Sequence, residues 1–278
     1  MRIASGRRSP RAASSSRTRR AVSAGNAPEA RPGSVDILYG RNPVLEALRA
    51  GRRARKLVVA VGVRPEPRLR EILDRAHAQG IRVEEVPRNR LDDIAHTEHH
   101  QGVAGYFHAR VAVRLEAMLQ DAREPALLLV LDNIQDPQNL GAIARSAEAC
   151  AVDGIVLARN RAAAVTAAAA KASAGATEYV PVAVESNLAN ALVTLGAAGI
   201  WRVGLDPVAD TRYDVFDYRQ PVALVIGAEG EGMRPITRRH CDAVVSIPML
   251  GHVASLNAGA SAAVLLYEVQ RQRGFAAR

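Results

Sequence analysis

The apolar segment ALLLVLDNI, residues 126–134, constrains the fold of this chain most strongly. Its first six residues are all apolar, so neither face of a strand built from them can be left in water. Such strands occur in parallel sheets that are covered on both faces. Further short apolar segments lie at 154–158, 179–184, 201–206, 221–227 and 243–249, with helix-prone segments between most of them. This alternation predicts an α/β fold with a parallel sheet between two layers of helices.

The 278 residues are enough for two domains, each with its own core. In residues 35–110, helices are predicted for GRNPVLEALRAG, for 67–79 and from residue 89, and strands for 56–62, 81–87 and 102–109. We therefore expect a small α/β domain over residues 35–110. The polar and acidic residues 111–124 predict a linker, and residues 125–278 a second domain.

Positive charge is concentrated ahead of the C-terminal half. Residues 1–34 hold eight arginines and one glutamate, residues 35–110 fourteen basic and ten acidic side chains, and residues 111–278 fifteen basic and seventeen acidic ones. This distribution indicates an N-terminal region that contacts nucleic acid or another polyanion, although a GC-rich genome also supplies arginine. The basic run 49–56 is the candidate for contact with the nucleic-acid backbone, and a solvated helix end is the alternative.

The N-terminal residues 1–34 are rich in Ser, Ala, Arg and Pro and lack apolar periodicity, which predicts a disordered basic tail. An acid-poor N-terminus rich in Arg and Ser is also typical of organellar transit peptides, so import is the alternative to a bacterial cytoplasmic location. No apolar run approaches the roughly 20 residues that span a bilayer, so we expect a soluble protein without membrane contact. Cys150 and Cys241 belong to no metal-type or redox-type motif, which fits a reducing compartment.

The histidine-rich segment HTEHH, residues 96–100, raises the question of a metal site. Zinc sites need several Cys, His or carboxylate ligands at defined spacings, and no second cluster accompanies this one. We therefore expect no metal, and we interpret the segment as a polar turn.

Three short segments lie where a predicted strand ends, at the edge where α/β sheets bind ligands. In GAEGEGM, residues 227–233, the carboxylates of Glu229 and Glu231 would repel a phosphate, so a neutral or cationic ligand fits better. A tight turn with glutamates facing water is the alternative.

The segment DNIQDPQNLGAIARSA, residues 132–147, predicts a helix that Asp136 or Asn139 caps. Arg145 lies two turns into this helix, where it is either solvated or a ligand for an anion such as phosphate. Near the C-terminus, Ser255 and Asn257 precede an alanine-rich helix. Taken singly, they are an ordinary loop residue and an ordinary N-cap.

Taken together, the segments NIQDPQNLGAIARSA, LVIGAEGEGM and SIPMLGHVASLN resemble the three motifs of the SpoU (TrmH-type) RNA ribose 2′-O-methyltransferases of the SPOUT superfamily. The preceding YGRNPVLEAL and HHQGVAGYF resemble the L30e-like RNA-binding domain of the branch that methylates guanosine in 23S ribosomal RNA. The similarity covers roughly residues 36–274, so only the tail lies outside it.

The resemblance implies a SPOUT-type parallel sheet whose C-terminal part forms a deep trefoil knot, one of the rare exceptions to unknotted folds. It also implies a homodimer with the active site near the subunit boundary and ribosomal RNA as substrate. The cofactor would be S-adenosylmethionine, held by main-chain groups around Gly227, Ile247, Met249 and Leu256. A sulfonium cation without phosphate agrees with a glycine loop that carries glutamates.

By the same resemblance, Arg145 contacts the target ribose and its phosphate. Because a guanidinium stays protonated in proteins, we assign it to stabilising the developing alkoxide, with the phosphate or a water taking the proton. Asn139, Glu229, Ser255 and Asn257 would orient the ribose, the arginine and the cofactor.

One position departs from the family pattern. The second serine that members often carry two residues after the asparagine is Gly259 here, and Ser261 lies two residues further on. A hydrogen bond to the methionine end of the cofactor is then either lost or supplied by Ser261. Transfer RNA as substrate, and an RNA-binding protein without catalysis, are the alternative functions.

Overall fold

The computed structural model describes residues 34–64, 66–159 and 166–275. The predicted tail, apart from Ser34, lies outside these residues. So does the start of the alanine-rich segment 161–176, one of the helix-prone segments between the predicted strands. Within them, no helix has the length and apolar character needed to cross a membrane.

The N-terminal sheet has four strands in the order β1-β4-β2-β3. Its elements are β1 (Val35–Tyr39), α1 (Arg41–Arg49), β2 (Ala54–Ala60), α2 (Pro67–Ala78), β3 (Arg82–Val86), α3 (Arg88–Ala95) and β4 (Val103–His108). Strands β2 and β3 are parallel, and β4 runs antiparallel to β1 and β2. The apolar faces of α1 and α2 pack on this sheet through Leu45, Leu48, Ile72 and Leu57.

Strand β1 was not predicted, because Asp36 interrupts its apolar pattern. Its stability comes from antiparallel pairing with β4, in which Val35 lies opposite His108 and Tyr39 opposite Ala104. Those partners are far along the chain, so local sequence carries no sign of the pairing. The predicted strand 56–62 is observed at Ala54–Ala60, a shift of two residues.

The residues predicted to form a linker, 111–124, include helix α4 (Leu115–Asp121). Leu115 and Met118 are buried against the C-terminal sheet, and Val113 donates its N–H to the carbonyl of Val182 at 2.9 Å. The segment is therefore packed against the C-terminal sheet and does not hang free between the two sheets.

The C-terminal sheet has seven strands in the order β7-β6-β5-β10-β8-β11-β9, and every neighbouring pair is parallel. Its strands are β5 (Leu127–Asp132), β6 (Gly154–Ala158), β7 (Val182–Glu185), β8 (Trp201–Leu205), β9 (Thr211–Arg212), β10 (Val222–Gly227) and β11 (Ala243–Ser246). Its helices are α5 (Pro137–Ala149), α6 (Ala167–Ala172), α7 (Leu188–Ala197), α8 (Pro235–Arg239) and α9 (Ala258–Gln272). The predicted α/β fold with a parallel sheet is confirmed.

Strand β5 shows why this sheet needs two helical layers. Leu129 and Leu131 face a core formed with α5 and α9, whereas Leu128 and Val130 face a core formed with α4 and α7. All four side chains are fully buried. Each contributes about 1.5–3 kcal/mol by leaving water, so the apolar run fixes β5 at the centre of the sheet.

Two predicted strand boundaries in the C-terminal sheet differ from the structure by three residues. The strand predicted at 179–184 begins at Val182, because Ala176–Glu178 form a 3-10 turn before it. The strand predicted at 243–249 ends at Ser246, two residues before Pro248, which has no N–H for a sheet hydrogen bond. The two-residue strand β9 was too short to predict.

A buried charge cluster joins the two parts of the molecule. Arg52 from the N-terminal part pairs with Glu178 at 3.0 Å, and only 3% of the Glu178 side chain is exposed. Burial raises the pKa of the Glu178 carboxyl, while Arg52 and Arg110 act in the opposite direction. Tyr179 adds a hydrogen bond from its hydroxyl to Glu46 at 2.6 Å. The N-terminal sheet is thereby attached to the C-terminal one.

Candidate active site

The carboxyl ends of β5, β8, β10 and β11 meet at one edge of the C-terminal sheet, here called the carboxyl edge, because these strands are parallel. Three loops leave from this edge: 133–136 after β5, 228–234 after β10 and 247–257 after β11. The three segments selected from the sequence therefore converge in space, as expected for ligand sites in α/β sheets.

A cavity of about 190 Å³ opens between the loops 228–234 and 247–257. The four residues predicted to hold the cofactor, Gly227, Ile247, Met249 and Leu256, all line it. Glu229 and Ser255 line it too, and within residues 34–64, 66–159 and 166–275 Glu229 is the one charged side chain that lines it. Apolar walls with a single carboxylate suit a flat apolar group that carries positive charge, and would disfavour a phosphate.

The loop after β10 is closed on itself. Ala228 and Gly232 exchange two backbone hydrogen bonds, of 3.1 and 2.8 Å. Gly230 and Gly232 have φ angles of 79° and 66°, in the left-handed region that favours glycine. A Cβ at Gly227 would overlap the backbone of Gly232 and Met233, so only glycine fits there. The glycines thus serve a tight backbone turn, and the glutamates project from it.

A buried ion pair ties the end of this loop to β5. Asp132, the last residue of β5, has a fully buried side chain. It accepts hydrogen bonds from Arg234, at 2.9 Å from the backbone N–H and at 2.6 Å from Nε. Neither residue was identified from the sequence. The only signal was an acid at the end of an otherwise apolar strand.

Three predicted catalytic side chains are connected by hydrogen bonds. Asn257 caps α9 through its Oδ1, which accepts from the N–H of Ala260 at 2.9 Å, and its Nδ2 donates to Oδ1 of Asn139 at 2.6 Å. Asn139 in turn donates from Nδ2 to Oε2 of Glu229 at 3.4 Å. The amide of Asn139 thus lies between a loop carboxylate and the cap of another helix.

The sequence left open whether Asp136 or Asn139 caps α5. Asp136 is the cap, since its Oδ1 accepts from the N–H of Gln138 at 2.9 Å, and Pro137 occupies the first turn. Asn139 is therefore free to face the site. A second cavity of about 320 Å³ lies beside it and shares Ala228 and Glu229 with the first.

Arg145 lies apart from this cluster in the single chain. It follows Asn139 by six residues on α5, about 9 Å along the helix axis, and lines neither cavity. Its side chain is exposed and has no hydrogen bond or ion pair with any residue that the structure describes. An exposed guanidinium without a protein partner is available to an anion from outside the chain.

Ser261 is a cavity residue that the sequence left undecided. It lines the 190 Å³ cavity, is 7% exposed, and its hydroxyl has no hydrogen bond among the described residues. Its spacing of four residues from Asn257 places both on one side of α9, which was the available signal. A Cβ at Gly259 would lie 2.9 Å from Cβ of Ala142, so glycine permits close packing of α9 on α5.

Both cysteines are poor nucleophiles. Burial raises the pKa of Cys241 to about 12 and that of Cys150 to about 11. Because the thiolate is the reactive form, neither supplies a nucleophile near neutral pH.

The histidine segment 96–100 has a structural contact. His100 is fully buried, with Nε2 at 2.7 Å from Oδ1 of Asp92, and its Nδ1 accepts from the N–H of Gly102 at 2.9 Å. Among residues 34–64, 66–159 and 166–275, no group of three or more His, Cys, Asp or Glu is arranged to hold a metal ion.

The basic run 49–56 is largely engaged within the protein. Arg49 pairs with Glu71 at 2.7 Å, Lys56 pairs with Glu84 at 2.7 Å, and the Arg52 side chain is only 10% exposed. The run is therefore a weaker candidate for RNA contact than its charge indicated. Its exposed arginines are Arg49, Arg53 and Arg55.

Comparison with known proteins gives two matches along the chain. Residues 126–267 match the SpoU rRNA methylase family, and residues 37–110 match RNA 2′-O ribose methyltransferase substrate-binding domains. A relative from Mycolicibacterium vanbaalenii, described as an uncharacterized tRNA/rRNA methyltransferase, is 47% identical over 243 residues. The similarity covers 86% of this chain and 77% of the relative.

Solved structures give the same result. The SpoU methyltransferase AviRb from Streptomyces viridochromogenes, in complex with AdoMet, has a TM-score of 0.73 at 28% identity, covering 86% of this chain and 91% of its own. An AdoMet-bound rRNA methyltransferase from Sinorhizobium meliloti has a TM-score of 0.72 at 27% identity, covering 85% of this chain and 87% of its own. These matches confirm the resemblance of the three motifs: the chain belongs to the SpoU rRNA methylase family.

Proposed function

We propose that this protein transfers a methyl group from S-adenosylmethionine to the 2′-hydroxyl of a guanosine ribose in large-subunit ribosomal RNA. Its family makes it an S-adenosylmethionine-dependent RNA 2′-O-ribose methyltransferase. The identity of the RNA and of the nucleoside is the proposal. The observation that carries methyl transfer at this site is the hydrogen-bonded series Asn257, Asn139 and Glu229 at the junction of two cavities. The match of residues 126–267 to the SpoU rRNA methylase family supports ribosomal RNA as the substrate.

The residues of the 190 Å³ cavity fit the cofactor. Ile247, Met249 and Leu256 provide apolar contacts, and the backbone around Gly227 approaches closely because no side chain intervenes. Among the residues that the structure describes, no lysine or arginine lines the cavity, so a sulfonium cation is accepted where a polyphosphate would lack counter-charge. The hydroxyl of Ser261, which has no hydrogen bond to a described residue, is a further hydrogen-bonding group for the cofactor.

When bound, S-adenosylmethionine supplies a methyl group that is already activated by its positive sulfur. The work left to the protein is alignment of the ribose oxygen and stabilisation of the charge that develops on it. We assign orientation of the acceptor to Asn139, Glu229, Ser255 and Asn257. We assign charge stabilisation to Arg145, whose guanidinium stays protonated, so the RNA phosphate or a water accepts the hydroxyl proton.

We propose that the active unit is a homodimer. In one chain Arg145 is exposed and outside both cavities, so the site is incomplete without RNA or a second copy. A subunit boundary along α5 would bring this guanidinium near an acceptor ribose held by the loops. Isologous dimers are the commonest oligomers of soluble proteins, which supports this arrangement.

Three further expectations belong to the same proposal. The chain around the loops 228–234 and 247–257 forms a deep trefoil knot, the N-terminal sheet is an L30e-like RNA-binding domain, and the protein acts in the bacterial cytoplasm. The match of residues 37–110 to substrate-binding domains supports the RNA-binding role of the N-terminal sheet. The excess of basic residues in that region supports it as well.

The experiment is a map of 2′-O-methylated riboses in ribosomal and transfer RNA, made by mass spectrometry with and without the gene. We expect one ribose methyl in large-subunit RNA to disappear on deletion. It should return with the wild-type gene and not with Arg145→Ala. Loss of a methyl only from transfer RNA would replace the proposed substrate, and an unchanged map of both RNAs would contradict the proposal.

A further inference from the structure

We propose that the buried pair Asp132 and Arg234 positions Glu229 for the transfer reaction. This inference rests on the proposed function, because it assigns Glu229 to orienting the acceptor. It names Asp132 and Arg234 as positioning residues, since neither lines the two cavities described above.

The first step is the geometry of the loop ends. Strand β10 ends at Gly227, which lies opposite Asp132 in the parallel pairing of β10 with β5. The chain then runs through residues 228–233 and returns to Asp132 at Arg234, whose backbone N–H lies 2.9 Å from Oδ2 of Asp132. Both ends of the loop are therefore fixed at one point of the sheet.

The second step is the strength of that attachment. The Asp132 side chain is fully buried, and its described hydrogen bonds come from Arg234 alone, the second from Nε at 2.6 Å. A buried carboxylate is unfavourable unless it is paired, and hydrogen bonds between charged groups are stronger than neutral ones. Any displacement of Arg234 would leave the carboxylate unpaired, so the pair resists movement of the loop.

The third step is the weak fixation of Glu229 itself. Its side chain is exposed, and its one described hydrogen bond is the 3.4 Å contact from Nδ2 of Asn139. Such a long bond cannot hold a flexible carboxylate in place. The position of Glu229 is set mainly by its backbone, hence by the closed turn of the loop and by Arg234 at its end.

The test is a double-mutant cycle on single-turnover methyl transfer at saturating S-adenosylmethionine. Arg234→Ala should lower the rate about tenfold or more in the wild-type background, because small misplacement of an orienting group has large effects on rate. In a Glu229→Ala background the same change should lower it less than about twofold, because the group it positions is gone. Equal fold-losses in both backgrounds would overturn the proposal.

Arg202 offers a matched control. It donates to Asp242 from its backbone N–H at 2.8 Å and from Nε at 2.7 Å, the same two groups that Arg234 uses. This pair lies at the start of β8 and β11, at the opposite edge of the sheet. Arg202→Ala should lower the unfolding midpoint and leave the transfer rate within about twofold. A tenfold rate loss in this control would show that any lost ion pair slows the enzyme.

A second measurement does not depend on activity. Amide hydrogen exchange in peptides covering residues 228–233 should be faster in Arg234→Ala than in wild type and unchanged in Arg202→Ala. If Arg234→Ala does not fold, Arg234→Lys keeps a positive charge near the buried carboxylate of Asp132 and should show a smaller change in the same direction. Unchanged exchange would contradict the positioning role, whereas a wild-type protein that methylates no RNA would contradict the proposed function instead.

Discussion

The two edges of the C-terminal sheet carry the same arginine–aspartate arrangement in different surroundings. At the carboxyl edge, Arg234 binds Asp132 below a glycine-rich loop and beside two cavities. At the opposite, amino edge, where the strands begin, Arg202 binds Asp242. Arg202 also donates to the carbonyl of Leu192 at 3.1 Å, a contact that holds α7 against β8. We therefore assign the pair at the carboxyl edge to the candidate active site and the pair at the amino edge to the stability of the fold. Substitutions at the two edges should therefore separate methyl transfer from stability.

The largest expected effect is on transfer by Arg145→Ala. The exposed guanidinium has no described partner in the chain, so its loss should barely change folding. Transfer should fall about 100-fold or more, as when a donor to a developing oxyanion is removed. Single-turnover transfer and calorimetric titration with the cofactor check this, and cofactor affinity should stay within a few-fold. Equal losses of transfer and cofactor affinity would show that Arg145 serves the cofactor.

Cofactor affinity should respond most to Gly227→Ala. A Cβ at this position would overlap the backbone of Gly232 and Met233, so the loop that lines the cavity has to open. We expect affinity for S-adenosylmethionine to fall about tenfold or more, measured by calorimetry.

Gly199 is the matched glycine at the amino edge. Its φ is +82° and a Cβ there would meet nothing within 4 Å. Gly199→Ala should lower the unfolding free energy by about 1–2 kcal/mol through backbone strain and leave cofactor affinity unchanged. If Gly199→Ala and Gly227→Ala lowered the affinity for S-adenosylmethionine equally, the amino edge would affect cofactor binding as much as the carboxyl edge, contrary to the assignment of the two edges.

The sequence predicted those parts of the fold that depend on local pattern. The apolar run of β5 required a two-faced sheet, and Pro137 with Asp136 marked the start of α5. It could not reveal β1, which depends on a distant partner, or the pair of Asp132 and Arg234, whose members are 102 residues apart. Contacts at such separations come from the sheet order, which a single sequence does not contain.

For the site, the residues predicted to hold the cofactor line one cavity, because loops at the ends of parallel strands must meet at one edge, and their role in cofactor binding stays a prediction. The roles assigned to Asn139, Arg145, Glu229, Ser255 and Asn257 stay predictions. The absence of Arg145 from the cluster in one chain could not be foreseen, because it depends on the direction of α5 relative to the loops.

A smaller effect is expected for Ser261→Ala. The hydroxyl of Ser261 lines the cavity without a described partner, so its removal should lower cofactor affinity about three- to tenfold, the value of one hydrogen bond. Thr194→Ala is the control, because that hydroxyl bonds only the carbonyl of Asn190 within α7. Unchanged affinity in Ser261→Ala by calorimetry would exclude the hydroxyl from cofactor binding.

The smallest expected effect is on the pH dependence of folding stability, through Asp242 at the amino edge. The hydrogen bond from Arg202 lowers the pKa of Asp242, so the folded state favours the carboxylate. The ionised carboxyl therefore contributes to the free energy of unfolding above the ordinary Asp pKa of 3.8. This contribution is lost as the pH falls below that value toward the lower pKa of the folded state.

Asp242→Asn should therefore reduce the urea unfolding free energy at pH 7 by roughly 1 kcal/mol, and by less at pH 3. Methyl transfer at pH 7 should not change. If the unfolding free energies of wild type and variant differed more at pH 3 than at pH 7, the predicted pH dependence would be wrong.

The central claim is that the cavity at the carboxyl edge accepts an adenosyl sulfonium cation. Calorimetric titration of the wild-type protein with S-adenosylmethionine, and separately with ATP, tests it most directly, because the two ligands share adenosine and differ in charge. We predict one S-adenosylmethionine bound per chain and no measurable binding of ATP, since no basic side chain in the described part of the chain lines the cavity. Binding of ATP with equal affinity, or no binding of S-adenosylmethionine by the folded protein, would contradict the claim.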